Sequence, residues 1–204
     1  METDKISRHR VLVATDFGTT FGATSYAVVE PGRSNINPVR IRSKGASIFQ
    51  ALIIFAVDRT RAPRRTMWGG DLDIRLLMGT LPEDDVIRLL KLSLSDEPYA
   101  QEVRGKIESQ LNDLEIDNQE LIALYLQDVK NQVNSQLRSS LNQDLSTLPQ
   151  EWLISVPQMW TPLQTRAMMC AARNAGIPNC SLVSEPECVA AFHLGQADDV
   201  PITV

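Results

Sequence analysis

The stretch from Glu151 to Gly195 limits the fold more tightly than any other part of the chain. Trp152 to Val156 is a short apolar run closed by Pro157, which reads as a buried strand. Thr161-Pro162-Leu163-Gln164 then supplies a helix start: an N-cap hydroxyl, proline at the first helical position, and a glutamine three residues after the cap. Gly176 supplies the stop. Cys180 to Val183 is the next strand, Glu187 to Leu194 the next helix with Gly195 behind it, and Pro201 to Val204 opens a third strand. Strand, helix, strand, helix, strand implies right-handed crossovers and a parallel section of sheet.

The first third of the chain reads differently. Arg10 to Thr15 and Ala23 to Glu30 are β-like runs, separated by Asp16-Phe17-Gly18 and ended by Pro31-Gly32. Val39 to Arg42, Ala51 to Val57 and Thr66 to Trp68 follow as further strands, giving a meander and an antiparallel portion of sheet. The middle is helical and more polar. Pro82, followed by Glu83, Asp84 and Asp85, predicts a helix start. From Asn118 to Leu141, Leu121, Tyr125, Val129, Val133, Leu137 and Leu141 recur at helical spacing, flanked by Ile122 and Leu126. That is one apolar stripe on a long amphipathic helix, and a strict four-residue step favours core packing over a coiled-coil seam. The expected class is α/β: one mixed sheet flanked by helices.

Composition sets the outer limits. The 204 residues are 43% hydrophobic and 22% charged, proportions of a globular chain able to bury one sizeable core or two small ones. Twenty Lys and Arg face 25 Asp and Glu, a formal net charge of -5, so no chain-wide affinity for nucleic acid or anionic membrane is expected. The longest apolar run, Ala51 to Val57, is far short of the ~20 residues that span a bilayer. The charged start, Met1 to Arg10, lacks the apolar region of a signal peptide. Cys170, Cys180 and Cys188 are odd in number with no Cys-x-x-Cys spacing, and only His9 and His193 accompany them, so the expectation is reduced thiols in the cytoplasm without zinc. Arg59 to Arg65 reads as a solvated loop, with an anion patch or nuclear signal as the alternative.

The chemistry points to Asp16-Phe17-Gly18-Thr19-Thr20, where a buried strand turns sharply into the next. Glycine lets the backbone approach a ligand, and consecutive N–H groups in such a turn form an anion-binding concavity. Two threonine hydroxyls add donors, and an aspartate at a strand end holds Mg²⁺, usually through water. An ordinary hairpin turn uses the same residue types.

Together with this turn, three further blocks carry a resemblance: Ser155-Val156-Pro157-Gln158-Met159-Trp160, the small-residue helix ending Ala171-Ala172-Arg173-Asn174-Ala175-Gly176, and Ser184-Glu185-Pro186-Glu187-Cys188-Val189-Ala190-Ala191. The chain resembles the nucleotide-binding domain of the 70-kilodalton heat-shock chaperones, as a divergent member of the actin-like ATPase superfamily. The resemblance implies a ribonuclease-H-like first lobe, with core segments near 8–38 and 150–204 and an α/β insertion near 39–149. It implies ATP or ADP with Mg²⁺ as ligands. Asp16, Gly18, Thr19 and Thr20 would bind phosphates; Glu185, with Asp16, would place magnesium and the attacking water. Lys91 would be the catalytic lysine near the γ-phosphate, with a solvated helix lysine as the competing reading. Pro157 would relay nucleotide state. Partners would be the nucleotide and, through domains outside these residues, unfolded protein clients and co-chaperones.

In the family a second phosphate loop, the adenine-holding segment and a peptide-binding domain come after the point corresponding to Val204. The expectation is therefore a first lobe alone, whether a fragment, a truncated gene product or a shrunken paralogue, that binds MgATP weakly and turns it over negligibly. Two other functions stay open: an interaction module that keeps the fold without turnover, and a sugar or metabolite kinase of the same superfamily.

Overall fold

Val11, Val13, Thr15 and Phe17 are buried while Ala14 and Asp16, between them, are exposed, so the first strand has one covered face and one open one. The computed structural model describes residues 9–30, 38–41, 51–52, 54–58, 65–68, 70–82, 85–139 and 145–196. In chain order the elements are β1 (Arg10–Phe17), β2 (Phe21–Val29), β3 (Val39–Arg40), β4 (Ala51–Leu52), β5 (Ile54–Asp58), β6 (Arg65–Trp68) and α1 (Gly70–Leu77). There follow β7 (Val86–Arg88), α2 (Gln101–Leu114), α3 (Asn118–Ser139), β8 (Gln150–Val156), α4 (Pro162–Asn174), β9 (Cys180–Ser184) and α5 (Glu185–Gln196).

The main sheet has the order β3-β2-β1-β8-β9, with β4 also paired to β2. β1, β2 and β3 are antiparallel neighbours, whereas β1, β8 and β9 run parallel, so the sheet is mixed as expected. The covered face of β1 continues on β8 as Trp152, Ile154 and Val156. Against it lies the stripe of α3, with Leu121, Ile122, Tyr125, Leu126, Val129, Val133 and Leu137 all buried in the same core. Phe17 meets Tyr125 with ring centroids 5.5 Å apart. The small residues Ala171 and Ala172, with Met168, let α4 pack closely on α3. Lys130 of α3 donates to the carbonyl of Gly176 (2.6 Å), closing the end of α4. Its long stripe is thus core rather than a free seam.

A second, three-stranded antiparallel sheet has the order β6-β5-β7. Leu72 of α1 packs with Val86 of β7 in a small core of its own. The span 39–149 thus contains this small sheet, but it also gives β3 and β4 to the main sheet and α3 to its covered face.

Three expectations are corrected. The helix predicted from Pro82 does not form: Val86 and Ile87 pair with Ala56 and Phe55, and burial in a sheet outweighs the local helix-start signal. The helix comes earlier, as α1. The apolar run Ala51 to Val57 is shared between two sheets, Ala51–Leu52 pairing with β2 and Ile54–Asp58 with β6 and β7. The first strand runs on through Asp16 and Phe17. Leu141, residues 59–64 of the arginine-rich stretch and the strand predicted at Pro201 to Val204 lie outside the described residues.

Candidate functional site

Because β1, β8 and β9 are parallel, their carboxyl ends lie at one edge of the sheet. The register places Asp16 beside Ser155, Ser155 beside Val183, and Val156 beside Ser184. Clefts for ligands in α/β sheets form at such an edge. Asp16 emerges on the open face, where its Oδ1 accepts a hydrogen bond from the Ser155 hydroxyl at 2.6 Å. Gly18 then turns the chain into β2. A Cβ at Gly18 would sit 2.2 Å from the backbone carbonyl oxygen of Phe21, so the turn admits no larger residue without moving backbone. Thr19 is half-buried and Thr20 exposed on the same turn.

Glu185 and Glu187 divide two tasks. Glu187 accepts from the Ser184 amide (2.9 Å) and hydroxyl (2.6 Å), and the Ser184 oxygen accepts from the Glu187 amide (3.3 Å). This is a capping box on α5, with Pro186 inside its first turn. The Ser184 hydroxyl, and then its amide, hold the Glu187 carboxyl below the usual glutamate range. Glu185 is left to face a partner from elsewhere in the chain: Lys91 Nζ donates to its Oε1 at 2.5 Å, across 94 positions of sequence.

Lys91 is not a solvated helix lysine. It sits in a 3-10 turn, Leu90–Leu94, and its side chain is 5% exposed against 44% for Glu185. Leu89 enters this turn at φ 58°, a left-handed conformation that a leucine adopts only under constraint. Side chains fix the turn on several sides. Ser93 donates to the Leu90 carbonyl (2.7 Å), Arg104 to the Ser95 carbonyl (3.2 Å), and the Gln164 amide to Asp96 (3.3 Å). Lys91 Nζ also lies 5.9 Å from the ring centroid of Trp160, within cation–π range. Trp160 is placed by its own amide, which donates to the Pro157 carbonyl (3.2 Å).

Asp16 and Glu185 open onto one cavity of about 490 Å³ on the sheet face opposite α3 and α4. Its apolar floor includes Ala14, Ala23, Leu153 and Val183; Ser25, Ser155 and Arg40 add polar groups, and Cys188 and Val189 of α5 form one wall. Burial, then Asp16, Glu187 and Glu185, push the Cys188 thiol up from its ordinary value. On the covered side, burial raises Tyr125 well above the ordinary tyrosine range, with Asp16 and then Asp128 adding to it.

The structure therefore brings Asp16 and Glu185 to one cavity and joins Lys91 to Glu185, but Lys91 is not on the cavity wall. Gly18, Thr19 and Thr20 sit at the same sheet edge without lining the cavity, and Pro157 is half-buried just past β8. The sequence reading missed Ser155, Arg40, Cys188 and the stacking of Trp160 on Lys91. Ser155 could have been found: it is the one hydroxyl in the run Leu153 to Val156, at the strand end that pairs with Asp16.

Asp16 and Glu185 are hard oxygen donors of the kind that hold magnesium together with water and substrate phosphates, and both reach the cavity, so the residues fit that ion. Among the described residues no group of three or more His, Cys, Asp or Glu is placed to hold a metal ion, and no helix is long and apolar enough to cross a membrane. No protein-family model matches the chain, and no curated protein matches it in sequence.

Proposed function

We propose that the chain is an ATP-binding lobe of the actin-like ATPase kind, similar to that of the heat-shock chaperones, with its phosphate site at the carboxyl ends of β1, β8 and β9. The observation that supports it most is the Lys91–Glu185 contact beside the Asp16 cavity, because it joins two candidate residues picked out at distant positions. Ser155 holds Asp16 in one orientation. Lys91 neutralises Glu185 and fixes its carboxylate at the cavity, which makes Lys91 a positioning residue in this arrangement. The amides of the Gly18 turn offer donors to a phosphate at the same edge. Magnesium, when bound with the nucleotide, supplies neutralisation of phosphate charge and orientation.

A second reading is a binding module without turnover. It is favoured by Lys91, which is engaged with Glu185 and away from the cavity wall. Two measurements test the readings, and the second separates them. Equilibrium dialysis with ATP, in magnesium and in EDTA, is expected to show magnesium-dependent binding for either; its absence would overturn both. Steady-state formation of ADP and of free phosphate, alone and with a panel of sugars, tests turnover. ADP with an equal amount of free phosphate supports the ATPase, ADP formed only with sugar and without free phosphate the kinase, and binding without ADP formation the module.

A further inference from the structure

The cavity carries two carboxylates, and among its described lining residues Arg40 is the only cation. Arg40 stands opposite Ser25, which stands opposite Ala14, and Asp16 is two residues further along β1. Two strand spacings of about 4.8 Å and two residues of about 3.4 Å put the Arg40 and Asp16 backbones roughly 12 Å apart across the open face. Between them lie Ala23 and Ser25, whose short side chains leave the floor clear. On the other flank, toward β9 and α5, the floor residues Leu153 and Val183 and the wall residues Cys188 and Val189 carry no positive charge for a polyanion.

We infer that Arg40 is a phosphate-contacting residue that sets the direction of a bound nucleotide. The phosphates run from the carboxylate end, where magnesium offsets Asp16 and Glu185, toward β3 and the guanidinium. A planar guanidinium is suited to this because it donates two parallel hydrogen bonds to a phosphate. The inference rests on the nucleotide reading above and adds to it a binding residue and an orientation.

The test is calorimetric titration of the wild-type chain, Arg40→Gln and Arg40→Lys with MgATP, MgADP and adenosine. Arg40 is exposed on a two-residue edge strand, and a thermal melt of each variant, recorded beside the titrations, checks that the fold is kept. Loss of charge-assisted hydrogen bonds predicts MgATP binding weaker by about tenfold or more in Arg40→Gln, with adenosine affinity unmoved and Arg40→Lys in between. Equal MgATP affinity in wild type and Arg40→Gln overturns the inference while leaving the nucleotide reading standing. A parallel loss for adenosine also overturns it, since Arg40 would then act on the cavity and not on phosphate. No MgATP binding by the wild type overturns the reading itself, and the inference with it.

Discussion

Lys91 and Glu185 share one ion pair but not one environment, and the difference predicts unequal responses to substitution. Glu185→Gln leaves an ammonium 5% exposed without its counter-charge. Removing one partner of a buried pair costs several kcal/mol, and the half-exposed glutamate lowers that here to about 1–3 kcal/mol. Lys91→Met removes the buried charge itself and leaves Glu185 in contact with water, so stability should change by less than about 1 kcal/mol. Urea unfolding of the two variants checks the asymmetry; equal losses would mean that the lysine is not the desolvated member. Gly18→Ala should be far worse than a surface change, because its Cβ meets a backbone oxygen and not a flexible side chain. A loss of about 2–4 kcal/mol is expected, and a melt within a degree of wild type would refute the close approach. Asp16 was legible in the sequence because it stands where an apolar run meets a Gly-containing turn, and Glu185 because its Ser-Glu-Pro-Glu block resembles that of the chaperone family. Arg40 and Cys188 were not, since their position depends on which face α5 covers and on the register of a two-residue strand.

Helix ends carry the next set of consequences. The α5 cap predicts that Ser184→Ala costs about 1 kcal/mol. Its Glu187 arm also makes stability depend on acid. A carboxyl with a lowered folded pKa contributes above the ordinary glutamate value, and that contribution is lost as pH falls through the lowered value. Thermal melts should therefore drop more steeply below the ordinary glutamate range for wild type than for Glu187→Gln. For Tyr125 the sign is reversed: with its folded pKa raised, stability is lost as pH climbs past the ordinary tyrosine value of about 10. Its absorbance change should coincide with alkaline unfolding, and titration in the folded state would show that the ring is not buried as described. In the core of α3, Leu126→Ala should cost about 2–5 kcal/mol. The elements from β8 to α5 could be read from sequence because caps, Pro and Gly mark their ends locally. β7 could not, because Val86 and Ile87 become a strand only through pairing with β5.

At the scale of the whole molecule, one face of the main sheet is covered by α3 and α4, while the other holds the cavity, with α5 on one side of it. Parallel strands are ordinarily covered on both faces, so a ligand or partner layer on the open face is consistent with the fold's chemistry. The mixed sheet was legible because the meander and the alternating strand-helix pattern occupy different parts of the sequence. The joining of Lys91 to the site was not legible from spacing, since it depends on the strained entry at Leu89 and the side chains that fix its turn. The most direct test of the central claim is a calorimetric titration of the chain and of Asp16→Ala with MgATP. The account predicts saturable, magnesium-dependent binding to the chain and its loss in Asp16→Ala, with the fold intact by circular dichroism. Absence of saturable binding to the unsubstituted chain at millimolar nucleotide, or binding indifferent to Asp16, would contradict it.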